Sequence, residues 1–203
     1  MFDSIDFWKD RWIRKPDFSG AMPKTYEAIK VRFMELEKDK TLNLLNKTVL
    51  DLGCGRGEII SWLASEKGCK VFGVEIGAAP VEYLKKEGYE VTQADARFVS
   101  LERKFNVVIS CFLFQHMMEE SDVKALYNVI LRHLEEKGLV ILVDKFSQGS
   151  RDFNSFPRPL SYHQNLWKEL GLIKVTQISL IEGKTDPCKF FVVLRRGRRG
   201  RRI

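Results

Sequence analysis

The sequence predicts an α/β fold: a doubly wound, seven-stranded, mostly parallel sheet with an antiparallel last strand and an N-terminal helical cap. Three observations predict it. From residue 48 onward, short apolar runs alternate with helical segments, the pattern of successive βα units. The run FNVVISC at 105–111 is apolar on both faces, as a central parallel strand is. The chain then closes on two strand-like runs separated by Gly183 and Pro187, which pair as a hairpin and reverse the last strand.

Taken in order, residues 1–45 read as a helical cap within the same domain. Trp8 and Trp12 lie four apart and share one face of a short helix, so they either dock on the core or cover a ligand. A break at 16–23 contains Gly20, and helical spacing of Ile29, Phe33, Leu36, Leu44 and Leu45 predicts a helix over 24–45. The main unit, 46–195, places strands at 48–52, 70–74, 89–92, 105–111, 138–143, 172–181 and 189–194. Helices fall at 58–67, at 80–87 with Pro80 at its start, at 121–134 with Ser121 or Asp122 as cap, and at 162–170. A polar loop covers 145–159. Residues 196–203 form a basic tail.

At 203 residues the chain makes one domain with a real core. No run reaches the 18 or more apolar residues of a membrane span, and the opening residues mix acids with bases, unlike a secretion leader. The expectation is a cytoplasmic protein with no membrane partner and an undetermined oligomeric state. Cys54, Cys69, Cys111 and Cys188 show no CxxC pair and no metal-ligand spacing, so they read as buried thiols, and no metal is expected. The net charge of +7 is local. Six arginines lie at 195–202, and without them the balance is seven minus six, or +1. Such a tail suits RNA phosphates, and equally a solvating end.

The stretch VLDLGCGRGE, 49–58, carries the most chemistry. Gly53, Gly55 and Gly57 follow the first strand and bring bare backbone toward a ligand at the amino end of the next helix. A dinucleotide-binding turn would be G-x-G-x-x-G. Counted from Gly53, Glu58 stands at the third glycine, where a pyrophosphate would meet a carboxylate. A cationic or zwitterionic ligand suits this turn better.

On these residues the chain resembles the class I S-adenosylmethionine-dependent methyltransferases from about 46 to 194. The resemblance implies that the turn Asp51, Gly53, Cys54, Gly55, Gly57 cradles the methionine part of S-adenosylmethionine. It implies that Glu75 accepts the ribose hydroxyls and that Ile76 packs on adenine. Asp95 would accept the adenine amino group beside a backbone contact at Ala96. Cys111 and Phe112 would meet the cofactor's amino group and floor the transfer site. A lone acid at a strand end also serves as a cap; Asp51, Glu75 and Asp95 at three successive strand ends fit that reading poorly.

Methyl transfer from a sulfonium asks for alignment and exclusion of water, with a base only where the acceptor must lose a proton. His116, after the fourth strand, is the candidate base or acceptor contact, and packing the loop is its alternative. Trp12, Arg158, Tyr162 and His163 are candidate acceptor contacts. His133, within an amphipathic helix, reads as surface. The segment after the fourth strand is SCFLFQ, which holds neither NPPY or DPPY nor a Pro-Cys pair. The expectation is therefore an enzyme that methylates O, N or S of a small molecule. The alternatives are an RNA or protein methyltransferase that uses the tail, and a non-catalytic cofactor-binding module.

Overall fold

A computed structural model describes residues 4–15, 23–147, 155–180 and 189–197. Helices α1 (Ser4–Arg14) and α2 (Pro23–Lys38) precede β1 (Thr48–Leu52), α3 (Glu58–Lys67), β2 (Lys70–Glu75), α4 (Ala78–Lys86) and β3 (Glu90–Gln93). Then come β4 (Phe105–Cys111), a 3-10 turn (Phe114–His116), α5 (Glu120–His133), β5 (Leu134–Lys145), α6 (Leu160–Glu169), β6 (Leu172–Ser179) and β7 (Lys189–Arg196). The seven strands form one sheet in the order β3-β2-β1-β4-β5-β7-β6. Its pairings are parallel except those of β7, which runs antiparallel to both β5 and β6. The predicted seven-stranded sheet and its reversed last strand are both present.

Period-two alternation assigns the strand residues to two cores. Leu50, Leu52, Val108, Val140, Leu142, Val192 and Leu194 face α5 and α6, meeting Val123, Leu126, Tyr127, Ile130, Leu166 and Trp167. Val49, Val107, Ile109, Ile141, Val143, Phe191 and Val193 face the other way, onto Ile29 and Phe33 of α2 and Ile59, Ile60 and Leu63 of α3. Strands apolar at every position are the consequence of cover on both sides. The chain leaves β1 toward β2 and β3, then returns to place β4 on the other flank of β1. The carboxyl ends of β1 and β4 thus border the crevice where such sheets bind ligands.

Several boundaries differ from expectation. Helix α2 stops at Lys38 instead of running to 45. Lys40 adopts a left-handed φ of 63° and the Leu42 N–H reaches back to the Leu36 carbonyl at 3.0 Å, which closes the helix end. Leu44 is still fully buried, whereas Leu45 is 62% exposed, so only one of that pair was a core residue. Helix α5 begins one residue early because Glu119, not Ser121 or Asp122, is its cap; Asp122 instead accepts from the Glu119 N–H at 3.2 Å, completing a reciprocal box. Strand β5 is longer at both ends than 138–143, and α4 begins two residues ahead of Pro80.

His133 corrects the surface reading. It is fully buried, its Nδ1 donates to the Val129 carbonyl at 2.8 Å, and its Nε2 accepts from the Leu101 N–H at 2.9 Å. Those two bonds require the neutral tautomer protonated on Nδ1. Cys54 and Cys69 are buried and Cys111 half-buried, all as free thiols. Gly20, Gly183, Pro187, Cys188, the middle of the 145–159 loop and the tail beyond 197 lie outside the described residues. Among the described residues no helix is long and apolar enough to cross a membrane.

Candidate functional site

The three glycines of the turn answer three different needs. At Gly53, φ is 75°, and its N–H donates to the Val74 carbonyl at 2.8 Å, fastening the turn to the end of β2. At Gly55, φ is 55° and a Cβ would meet nothing within 4 Å, because the backbone there opens into a cleft. At Gly57, φ is 81° and a Cβ would fall 2.4 Å from Leu84 Cδ2, so this glycine lets α3 and α4 pack closely. Gly53 and Gly55 line the cleft; Gly57 and Cys54 lie beneath it, Cys54 buried against bare Gly73.

Glu75 ties the turn to the next strand. Its Oε2 accepts from the Gly55 N–H at 3.0 Å, and its Oε1 accepts from Ile76 and Gly77 at 2.8 and 2.9 Å. Burial pushes its pKa up, while those three N–H groups, and the Trp12 indole to a smaller degree, pull it back. Asp51 sits under the same turn, 2% exposed. Its pKa is raised to about 7, first by burial and then by the charges of Glu58 and Glu75. Glu58 is itself pushed up by burial, and its Oε2 is buried without a hydrogen-bond partner. Three carboxyls around bare backbone, one oxygen of them orphaned, suit a cation and repel a pyrophosphate.

The cleft is lined further by Ile76, Asp95, Ala96, Arg97, Cys111, Phe112, Leu113, His116 and Met117. Arg97 gives no signal in the sequence, yet it grips Asp95 with its side chain, at 2.7 Å from Nη2 to Oδ2, and bridges to Asp122 of α5 at 2.6 Å. Asp95 is therefore held in a bidentate clamp with its oxygens largely engaged. The Cys111 thiol is pushed well up by burial, with Asp51 and Asp144 adding to the effect, so it stays protonated at neutral pH.

Phe112 takes a left-handed φ of 55°, a costly conformation for a bulky side chain, and its N–H bonds to the Val143 carbonyl at 2.7 Å. Asp144, the penultimate residue of β5, holds the turn that follows. Its Oδ2 accepts from Phe114 and its Oδ1 from Lys145, both at 2.8 Å. Burial lifts its pKa to about 7. This pedestal sets His116 at the cleft wall, where Nε2 is 3.2 Å from the Gln115 side-chain nitrogen and the ring meets Trp8 edge-to-face at 4.8 Å.

Helix α1 closes the cleft. Trp12 packs on Gly77, where a Cβ would lie 2.3 Å from its ring, and Trp8 and Tyr26 add to the wall. The remaining space is about 110 Å³. That is below the roughly 300 Å³ at which pockets for drug-sized molecules begin. A nucleoside therefore needs α1 to lift or shift.

Arg158, Tyr162 and His163 do not line the cleft. Arg158 is buried and donates to the backbone carbonyls of Met117 and Met118 at 2.6 and 3.1 Å, bracing the loop after His116. His163 is buried beside Phe114, Phe146 and Trp167, and burial together with the Arg158 charge lowers its pKa to about 3. It stays neutral and accepts from the Tyr127 hydroxyl at 2.8 Å, while the Trp167 indole donates to that hydroxyl at 2.8 Å. These residues act on the wall from behind.

A family model described as a methyltransferase domain matches residues 49–138, from the glycine turn through β4 and α5. The chain is thus similar to S-adenosylmethionine-dependent methyltransferases, over 49–138 in sequence and over nearly its whole length in fold. Ubiquinone biosynthesis O-methyltransferase of Stutzerimonas stutzeri (strain A1501) is 25% identical over 146 residues, covering 60% of this chain and 62% of that protein. Cypemycin N-terminal methyltransferase of a Streptomyces species is 31% identical over 123 residues, 56% of this chain and 50% of the other. The chain thus spans about three fifths or less of the length of these two relatives. Among solved structures, magnesium protoporphyrin IX methyltransferase from Synechocystis PCC 6803, with SAM bound, superposes with a TM-score of 0.73 at 14% identity, over 97% of this chain and 99% of that one. The methyltransferase-type fold is common to both.

Proposed function

We propose that this methyltransferase-fold chain is an enzyme that uses S-adenosylmethionine to methylate an oxygen, nitrogen or sulfur of a small molecule. The observation that carries the reading is the open backbone at Gly55, bonded to Glu75 in a turn flanked by Asp51 and Glu58. S-adenosylmethionine supplies an already activated methyl group on a positively charged sulfur. The protein's part is then to bind, orient and keep out water. Asp51 and the Gly53–Gly55 backbone hold the methionine end, with the Asp51 charge favouring its ammonium group. Glu75 offers lone pairs to the ribose hydroxyls beyond those already used by the turn, once the Trp12 indole moves aside. Ile76 and Ala96 flank the base, and Asp95 meets its edge. Helix α1 is a lid, and residues 1–45, 46–195 and 196–203 act as cap, catalytic unit and tail.

Support for a small acceptor is the aromatic wall that Trp8, Trp12, Phe112 and His116 build around the cleft. Two relatives, an O-methyltransferase of ubiquinone biosynthesis and an N-terminal methyltransferase, agree with oxygen or nitrogen as the receiving atom. His116 orients that atom or takes its proton. Release of the demethylated cofactor only when a phenol or an amine is supplied tests the reading; no release with any member of a panel of phenols, amines and thiols counts against it.

Glu75→Ala is expected to weaken cofactor binding by about 1.5–3 kcal/mol, the range for hydrogen bonds to a charged group. Glu75→Gln, with one acceptor oxygen in place of two, falls between. Calorimetric titration of both variants against the parent measures it. His116→Ala is expected to leave cofactor affinity within about twofold and to slow turnover about 10²-fold with a phenol, the lower end for loss of a general base. A loss confined to KM assigns it to acceptor positioning instead.

A further inference from the structure

What His116 can do turns on which ring nitrogen carries its proton, and its neighbour in sequence bears on that choice. Gln115 shares the short turn Phe114–His116. Its main chain is pinned on both sides. The N–H is held by the buried Asp144 carboxylate, which also holds those of Leu113 and Phe114. The carbonyl accepts from the Phe156 N–H at 2.6 Å, and the His116 N–H closes on the Leu113 carbonyl at 3.0 Å. The two side chains therefore leave a fixed backbone, and they meet.

The terminal nitrogen of the Gln115 side chain lies 3.4 Å from the Phe112 carbonyl oxygen and 3.2 Å from His116 Nε2. A carbonyl oxygen only accepts, so the amide end shared by these two neighbours is the NH2, a donor with no lone pair to offer. Turned the other way, the amide oxygen would face the Phe112 oxygen with no hydrogen between them. A donor opposite Nε2 requires the imidazole lone pair there, and a neutral ring with that lone pair carries its proton on Nδ1. Trp8, edge-to-face at 4.8 Å, steadies the plane of the ring.

We infer that Gln115 is a positioning residue that fixes His116 in the neutral tautomer protonated on Nδ1. Gln115 is not among the residues that line the cleft, so it acts through His116. The consequence for turnover rests on the reading of that cleft as a methyl-transfer site. There the tautomer sets which nitrogen donates to the receiving atom and which takes a proton from it, and a wrong tautomer costs rate even where geometry is kept. The other two histidines are internal references. His133 is held with its proton on Nδ1, and His163, which accepts at Nδ1 from Tyr127, with its proton on Nε2.

Long-range proton–nitrogen NMR correlation of the histidine rings in the full chain tests this at a pH of about 8, above the usual histidine range. The signals of His116 are those missing from His116→Ala. The parent is expected to show them with the proton on Nδ1, matching His133 and unlike His163. Gln115→Glu presents an acceptor in place of the donor and is expected to move the proton to Nε2. Gln115→Met keeps the length, removes the bond and is expected to give both tautomers. In both variants calorimetric affinity for the demethylated cofactor is expected to stay within about twofold while kcat falls at least about tenfold, a split that a damaged fold would not give. A parent protonated on Nε2, or the same tautomer in parent and Gln115→Glu, would overturn the assignment. The expected tautomers in a chain that methylates no phenol, amine or thiol would uphold Gln115 as the group that fixes the ring and retire the methyl-transfer reading instead.

Discussion

Gly55→Val is expected to abolish cofactor binding in a protein that still folds. The backbone at Gly55 has φ of 55°, and imposing that conformation on an L-residue costs about 1–2 kcal/mol, somewhat more with a β-branched side chain. That cost lowers the melting temperature without removing the fold, because a Cβ there meets no protein atom within 4 Å. The isopropyl group instead projects into the cleft beside Glu75, where the cofactor's backbone contacts would form. Gly57→Val gives the contrasting result. Its Cβ lands 2.4 Å from Leu84 Cδ2, so α3 and α4 must separate and stability suffers first. Melting curves and calorimetric titration of the two variants separate a blocked ligand from a damaged core. Equal cofactor affinity in Gly55→Val and parent would place the ligand elsewhere.

Asp51→Asn is expected to stabilise the ligand-free protein above pH 7 and to weaken cofactor binding sharply. The Asp51 carboxyl is lifted from 3.8 to about 7 in the folded chain. Between those values the native state holds a proton that the unfolded chain has released. Stability from this group therefore falls as pH rises through the window, and the full deficit of about 4 kcal/mol is present above 7. Asparagine removes that deficit, so its gain over the parent is absent near pH 4 and grows to an upper limit of about 4 kcal/mol at pH 8. A cation bound beside Asp51 draws the proton off, so parent affinity rises up to tenfold per pH unit and levels above 7. In Asp51→Asn the profile is flat in that range and binding is weaker. Asp144 titrates in the same window in both proteins and cancels in the comparison. A parent profile without slope would remove Asp51 from the site.

Much of the fold was legible because strand alternation is a local signal. Val49 and Leu50, or Val192 and Val193, face opposite cores by parity alone, and a sheet covered on both sides needs both to be apolar. The glycine turn was legible for a related reason: backbone conformation at Gly53, Gly55 and Gly57 restricts the residue type directly. What escaped was cooperation across distance. Arg97 looks like any surface arginine until α5 brings Asp122 to its guanidinium, and Asp144 until β5 sets it under the Phe114–His116 turn. His133 and His163 illustrate the same limit. Their burial depends on Leu101 and Tyr127, residues remote in sequence, so neither helical pattern revealed it. Helix α2 was overextended because Leu44 is a core residue, yet the chain reaches it through a left-handed turn at Lys40.

The most direct measurement is titration of the intact chain with S-adenosylmethionine and with its demethylated thioether, followed by heat of binding and by melting temperature. Saturable heat and a rise of several degrees with both compounds, both effects lost in Gly55→Val and no comparable response to NAD, are the expected results. Absence of heat and of thermal protection with either compound, or a stronger response to NAD, would contradict an acid-flanked glycine turn built for a sulfonium nucleoside.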